Sequence, residues 1–281
     1  MTYRTARPRQ SEFPFGPKPR LSEPPCLYSR IRSGPYADRM DAKEALVKTV
    51  IHAHTNYSFD SNTSPADLIQ TARRQGVDCV AITDHDEIAG ALEARALGGL
   101  EVIVGEEISS TAGHLIGLFL QEFVPPGLSA QETAERIRAQ GGLVLAPHPR
   151  AYLCDNSLSP AAVERLLPWL DAVEVCNAQN PLLWEEWWAR RFARRHGLTP
   201  YAGSDSHVRG YLAAAYQLMP AFDSPRGFLA ALRQAELHVG RFGPGYYAAM
   251  AAQHYHQRWF HRPLAGFGAN APGLKLARAT S

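Results

Sequence analysis

From about residue 48 the chain repeats one pattern: a short apolar, β-branched run, a polar turn, then an amphipathic segment. Seven runs stand out, at Thr49–His52, Val77–Thr83, Val102–Glu107, His114–Leu120, Leu143–Ala146, Ala172–Cys176 and Leu198–Ala202. Short apolar runs bounded by turn residues read as buried strands. The segments between them carry helix signals. Ser64-Pro65, Ser159-Pro160 and Ser224-Pro225 each set a capping hydroxyl before a proline suited to the first helical position. Ser129 with Glu132 three residues on has the form of a capping box. Gly76, Gly141 and Gly197 stand where helices should close before the next strand. This alternation predicts parallel strands with crossover helices, in a closed barrel or an open doubly wound sheet. No GxGxxG or GxxxxGK[ST] follows the first strand, so a nucleotide-binding open sheet lacks its motif. Polar residues gather instead at the C-terminal ends of many strands, where barrels build their sites. The barrel is the favoured architecture.

The pattern divides the chain into a basic, proline-rich arm (1–45), a β/α barrel (46–242) and a partly helical C-terminal extension (243–281). Residues 1–40 hold eight Arg or Lys against three acids, and seven prolines, with no strand or helix period. That composition fits a mobile, solvated arm. Its +5 balance leaves the remainder near −3, and the overall +2 is too small to argue for nucleic-acid binding. No run of 18 apolar residues and no signal-type apolar stretch occurs, so a cytoplasmic protein without a membrane span is expected. Cys26, Cys79, Cys154 and Cys176 form no CxxC pair, and Cys79 and Cys176 read as buried thiols. In the extension, Tyr246 to Phe260 reads as a surface helix; His254, His256 and His261 on it are not counted as ligands. Oligomeric state is left open.

Chemistry concentrates at the strand ends. His52-Ala53-His54 places two imidazoles on one side of a strand. Thr83-Asp84-His85-Asp86 ends the second strand and Gly105-Glu106-Glu107-Ile108 the third. His114 opens the fourth, Pro147-His148-Pro149 follows the fifth, and Gly203-Ser204-Asp205-Ser206-His207 follows the last. Imidazole suits zinc, iron, nickel and copper, and carboxylates extend the range to manganese and magnesium. So many titratable groups at one barrel end would be costly to bury without cations.

In order, HAH, TDHD, GEEIS, HLIGLF, PHP and GSDSH over about residues 48–240 resemble the successive motifs of the polymerase-and-histidinol-phosphatase (PHP) superfamily. The resemblance implies a distorted (β/α)7 TIM-like barrel with two or three divalent ions, Zn, Mn, Fe or Mg, and hydrolysis of phosphomonoesters or phosphodiesters. It assigns His52, His54, Glu107 and Asp205 to a first metal and Glu107, His114 and His148 to a second. Asp60, His85 and His207 would hold a third. Asp84 is expected to orient the site, with Asp205 and His207 serving catalysis as well as metal. Glu106 matches no ligand position. Arg150, next to the PHP tripeptide, could fork onto a phosphate oxygen or be a surface residue; Arg209 is a weaker candidate. Asn177 either lines the pocket or caps the next helix. Val50-Ile51 replaces the acid-leucine pair that often precedes the first motif.

The expected substrate is a phosphorylated small molecule or nucleotide. Two rivals remain: an amidohydrolase-type C–N hydrolase, weakened because no lysine occurs between Lys48 and Lys275, and a non-catalytic metal-binding domain. Trp184, Trp187 and Trp188 followed by four arginines could stack on nucleic acid. An amphipathic helix with tryptophans on the barrel and arginines in water is favoured.

Overall fold

The computed structural model describes residues 46–151, 156–180 and 183–260. The arm, Cys26, Cys154, His261 and the side chains of His254 and His256 lie outside the described residues. All seven expected strands form: β1 (Leu46–Ala53), β2 (Cys79–Ile82), β3 (Glu101–Ser110), β4 (Gly113–Leu118), β5 (Leu143–Ala146), β6 (Ala172–Asn177) and β7 (Thr199–Ser206). They pair in sequence order, and β1 pairs both β7 and β2, which closes a seven-stranded barrel.

The expectation of an all-parallel sheet needs correction. β4 runs antiparallel to both β3 and β5, because β3 and β4 form a hairpin with only Thr111 and Ala112 between them. Two residues can reverse a chain but cannot hold a crossover. Two further strands, β8 (Ala215–Pro220) and β9 (Glu236–Val239), were not read from the sequence. β8 lies antiparallel to the first half of β1, while β7 pairs the second half. Gln217 of β8, fully buried, accepts from Ala202 N at 2.7 Å and donates to Thr49 O at 3.2 Å, joining β7 to β1.

The helices are α1 (Pro65–Arg74), α2 (Ala89–Leu97), α3 (Ala130–Ala139), α4 (Pro160–Leu166), α5 (Leu183–His196), α6 (Pro225–Leu232) and α7 (Pro244–Phe260). Ser64, Ser159 and Ser224 cap their helices as expected, and Ser129 and Glu132 complete the capping box. Gly76, Gly141 and Gly197 take positive φ at helix ends, where L side chains would be strained. Strand alternation then sorts the core. Ile51, Ala81, Ile103, Ile116, Leu145 and Tyr201 belong to one buried cluster that fills the barrel. Val50, Val80, Val102, Val104 and Val173 pack outward with helix residues such as Leu68, Ile137 and Phe192. Among the described residues no helix is long and apolar enough to cross a membrane.

Candidate metal centre

At the end of the barrel where the parallel strands finish, the alternation that fills the lumen with apolar side chains continues in polar ones. On β3, Ile103 faces inward, so Glu107 does too, while Glu106 lies with the outward positions. Glu106 accepts from Val124 N at 2.9 Å. Burial, reinforced by Asp86 and Glu87, pushes its carboxyl up to about 8. Because β4 runs backwards, its first residues share this end, which brings in His114.

β1 shows how two histidines reach the lumen. Ile51 belongs to the barrel cluster and Val50 and Ala53 to the helix side, which strict alternation would not allow. The register shifts between Val50 and Ala53, with His52 at φ 68°. This bulge turns His52 inward beside Ile51 and carries His54 to the same side. A flat strand would have placed both imidazoles among the helices. Asp205, at φ 53°, and His148, at φ 24°, also sit in left-handed backbone at this end. Such strain gathers at functional sites.

The side chains converge on Glu107, which is almost fully buried. Its Oε2 lies 3.0 Å from His52 Nε2, 3.3 Å from His54 Nε2 and 3.5 Å from His85 Nδ1. Its Oε1 lies 3.0 Å from His114 Nδ1 and 2.9 Å from His148 Nε2. Asp205 Oδ1 stands 3.3 Å from both His52 Nε2 and His54 Nε2. Asp60 Oδ2 stands 3.1 Å from His207 Nε2 and 3.4 Å from His85 Nε2. All nine residues expected as ligands therefore meet in one cluster. Three sets have ligand-type atoms close enough to share an ion: His52, His54, Glu107 and Asp205; His54, Asp60, His85 and His207; His85, Glu107 and His114.

The donor set fits cations on a further ground. His54 Nε2, His85 Nδ1, His114 Nδ1 and Asp60 Oδ1 are buried without a hydrogen-bond partner, although opposite charges are near. Groups that approach without hydrogen-bond alignment, and would otherwise be costly to bury, suit a shared ion between them. The acids are held charged. Burial would raise Glu107 and Asp205, yet the surrounding imidazoles bring both well below the usual carboxylate range. Burial opposes charge on His207, but Asp60 and Asp205 hold it up at about 9.

Around this cluster lies a supporting layer. Asp84 accepts from Thr55 N (2.5 Å), Thr55 Oγ1 (2.6 Å) and Ser58 Oγ (3.2 Å). Ser58 Oγ also meets His54 Nδ1 at 3.1 Å, so Asp84 is linked to His54 through Ser58 and touches no candidate ligand's ring itself. Asn177 donates to Glu174 (3.0 Å) and Asp205 (2.9 Å) and accepts from Gln179 N (2.9 Å), so its side chain lies against the acids of the cluster. Arg150 lies beside His148 in the chain, its guanidinium 5.3 Å above the Trp184 ring. Arg209, the weaker candidate, is exposed and pairs with Asp67 at 2.8 Å.

Sequence reasoning missed Glu174, Thr55, Ser58, Tyr246 and Gln253. Glu174 carries the most weight: it holds His52 Nδ1 (3.1 Å) and accepts from His148 N (2.5 Å). The signal was present, since Glu174 is an acid two residues from inward Ala172 within the apolar run Ala172–Cys176. The tryptophan expectation also changes. Only Trp188 packs on the core, whereas Trp184 and Trp187 are exposed. Helix geometry cannot place residues 184, 187 and 188 all on one buried face while Ala189, Phe192 and Ala193 occupy it.

Comparison with known proteins agrees with this geometry. The PHP domain model matches residues 51–157, and the PHP-associated model matches residues 187–237. An uncharacterized protein of Methanocaldococcus jannaschii is 42% identical over 148 residues, which cover 48% of this chain and 84% of that protein. A 5'-3' exoribonuclease of Haemophilus influenzae is 30% identical over 128 residues, 41% of this chain and 46% of that enzyme. The fold resembles that of a two-domain Bacteroides vulgatus protein containing a predicted PHP-like metal-dependent phosphoesterase. That likeness has a TM-score of 0.58 at 19% identity, over 72% of this chain and 68% of the other. Sequence likeness over most of a relative's length joins the motif order and the barrel in one conclusion: the chain belongs to the PHP domain family.

Proposed function

We propose that the protein hydrolyses a phosphomonoester or phosphodiester at a centre of two or three divalent cations, Zn, Mn, Fe or Mg. The observation that carries this is the division of Glu107: one oxygen faces His114 and His148, the other His52, His54 and His85. A carboxylate so placed suits a bridge between cations. His52, His54 and Asp205 would complete one group with it, His114 and His148 a second, and Asp60, His85 and His207 a third. Cations bound there would draw charge from phosphoryl oxygens and acidify an attacking water. The protein's part is orientation: Glu174 fixes the His52 ring and the His148 amide, and Asp84 fixes the turn beneath His54. Arg150 is the side chain nearest in sequence to His148 that could fork onto a phosphate oxygen. The exoribonuclease relative supports including diesters among the substrates.

Elemental analysis of the purified protein, joined to phosphate-release and bis(p-nitrophenyl) phosphate assays with and without chelator, tests the proposal. Two or three equivalents of metal and chelator-sensitive turnover are expected. His148→Ala should lose metal and turnover together; a variant with full occupancy and wild-type rate would remove His148 from the site. Metal-free protein that is fully active would end the proposal.

A further inference from the structure

α5 displays its tryptophans in an arrangement that core packing does not explain. Trp187 is 64% exposed and Trp184 46%, although each could bury a large apolar area. Ala189, Phe192 and Ala193 already fill the barrel side of the helix. Residues 184, 187, 191, 194 and 195 share the opposite face, and all five are exposed. Both acids of the first turn are buried away from that face. Glu186 binds Arg241 at 2.8 Å and Glu185 binds Asn180. The outward stripe is therefore made of rings and cations: Trp184, Trp187, Arg191, Arg194 and Arg195. Arg191 lies 5.9 Å over the Trp187 ring, and Arg150 lies 5.3 Å over Trp184. Since Arg150 is two residues past His148, the stripe starts beside the candidate metal centre and runs along a helix about 21 Å long.

We infer that this stripe is a track for single-stranded nucleic acid leading to the metal centre. Exposed indole rings can stack on any unpaired base, and the guanidinium groups that follow them along the helix can meet the backbone phosphates. A duplex hides its base faces and gains only the charge contacts, so the rings select a single strand. The role of the track as a substrate path rests on the phosphoesterase reading; strand binding itself is read without turnover.

The test is fluorescence anisotropy with 5'-labelled dT15 in EDTA at about 50 mM salt. Wild-type protein binds, and Trp184→Ala/Trp187→Ala weakens binding roughly 10-fold or more, the range for lost base stacking. Arg191→Ala/Arg194→Ala/Arg195→Ala lowers the slope of log affinity against log salt by about 2, at roughly 0.7 per lost phosphate contact. These positions are exposed, so far-ultraviolet circular dichroism should be unchanged. Exposed Arg95→Ala on α2, away from the stripe, keeps wild-type affinity. Wild-type protein that ignores dT15, a tryptophan variant that binds as tightly as wild type, or equal affinity for a 15-base-pair duplex overturns the track. So does a dimer that the tryptophan variant dissolves without any effect on dT15. Turnover of bis(p-nitrophenyl) phosphate without dT15 binding sinks the track and spares the hydrolase. Binding of dT15 by protein that holds no metal and turns nothing over sinks the hydrolase and spares strand binding.

Discussion

Glu106 and Glu107 are adjacent in sequence and point to opposite faces of β3, one to the Val124 amide and one into a ring of imidazoles. Their substitution should separate cleanly. Glu107→Gln keeps the shape but loses the anionic charge of the proposed bridge, and should lose at least one equivalent of metal and more than about 100-fold of activity. Glu106, its carboxyl held at about 8 by burial, is already protonated at neutral pH. Glu106→Gln should keep metal and rate. Equal metal loss in both variants would show that the β3 alternation has been misassigned. Glu174 offers a subtler case because it acts through His52 and the His148 amide. Glu174→Gln should lower metal affinity by roughly 10–100-fold while the fold persists. Gly203 leaves room for it: a Cβ there would collide with Glu174 Oε1. Gly203→Ala should thus repeat the metal loss, readable by titration with a chelating dye; an alanine variant with unchanged affinity would remove Glu174 from the support of the site.

Elements that act through local chemistry were legible before the structure was known. Seven apolar runs became seven barrel strands, and the Ser-Pro caps marked α1, α4 and α6 because a hydroxyl and a proline act within one turn. α2 offered no such mark, since Ile88 stands at its N-cap without a side-chain bond. The direction of β4 depends on a two-residue link that alternation alone does not reveal. β8 and β9 are only partly buried, and their pairing with β1 is a long-range choice. The bulge at His52 was illegible too, yet the HxH pair pointed to two imidazoles that do share a side, as they would with or without the bulge. α7 was read as a surface helix and proves to serve the site. Tyr246, fully buried, receives the His207 amide at 3.2 Å, and Gln253 donates to Asp60 O at 2.5 Å. Both bonds reach the group formed by Asp60, His85 and His207. Gln253→Leu and Tyr246→Phe should therefore each cost up to one equivalent of metal, with the other equivalents retained. Mass spectrometry of the native protein would show the step, and unchanged stoichiometry in both would make α7 a bystander.

At the scale of the whole molecule, one half of the lumen is apolar and the other is packed with imidazoles and acids. Ile51, Ile103, Ile116 and Tyr201 stabilise the barrel by leaving water. Above them, His54, His85, His114 and Asp60 hold buried polar atoms without hydrogen bonds, each a cost of about 1–3 kcal/mol when left unmatched. Cations that bind only the folded chain would remove that cost and add a further term from mass action, about 4 kcal/mol at a thousandfold excess over Kd. For a barrel of this size each kcal/mol moves the midpoint by roughly 2–4 °C, so chelation should lower Tm by about 10 °C. Readdition of the native cation should restore it. Because two of the three proposed groups share Glu107, Glu107→Gln should show a much smaller chelator-induced fall in Tm than the wild type. A wild-type melt indifferent to chelator would mean that the polar half of the lumen is stable without ions, and the metal-centre proposal would then lose its thermodynamic support.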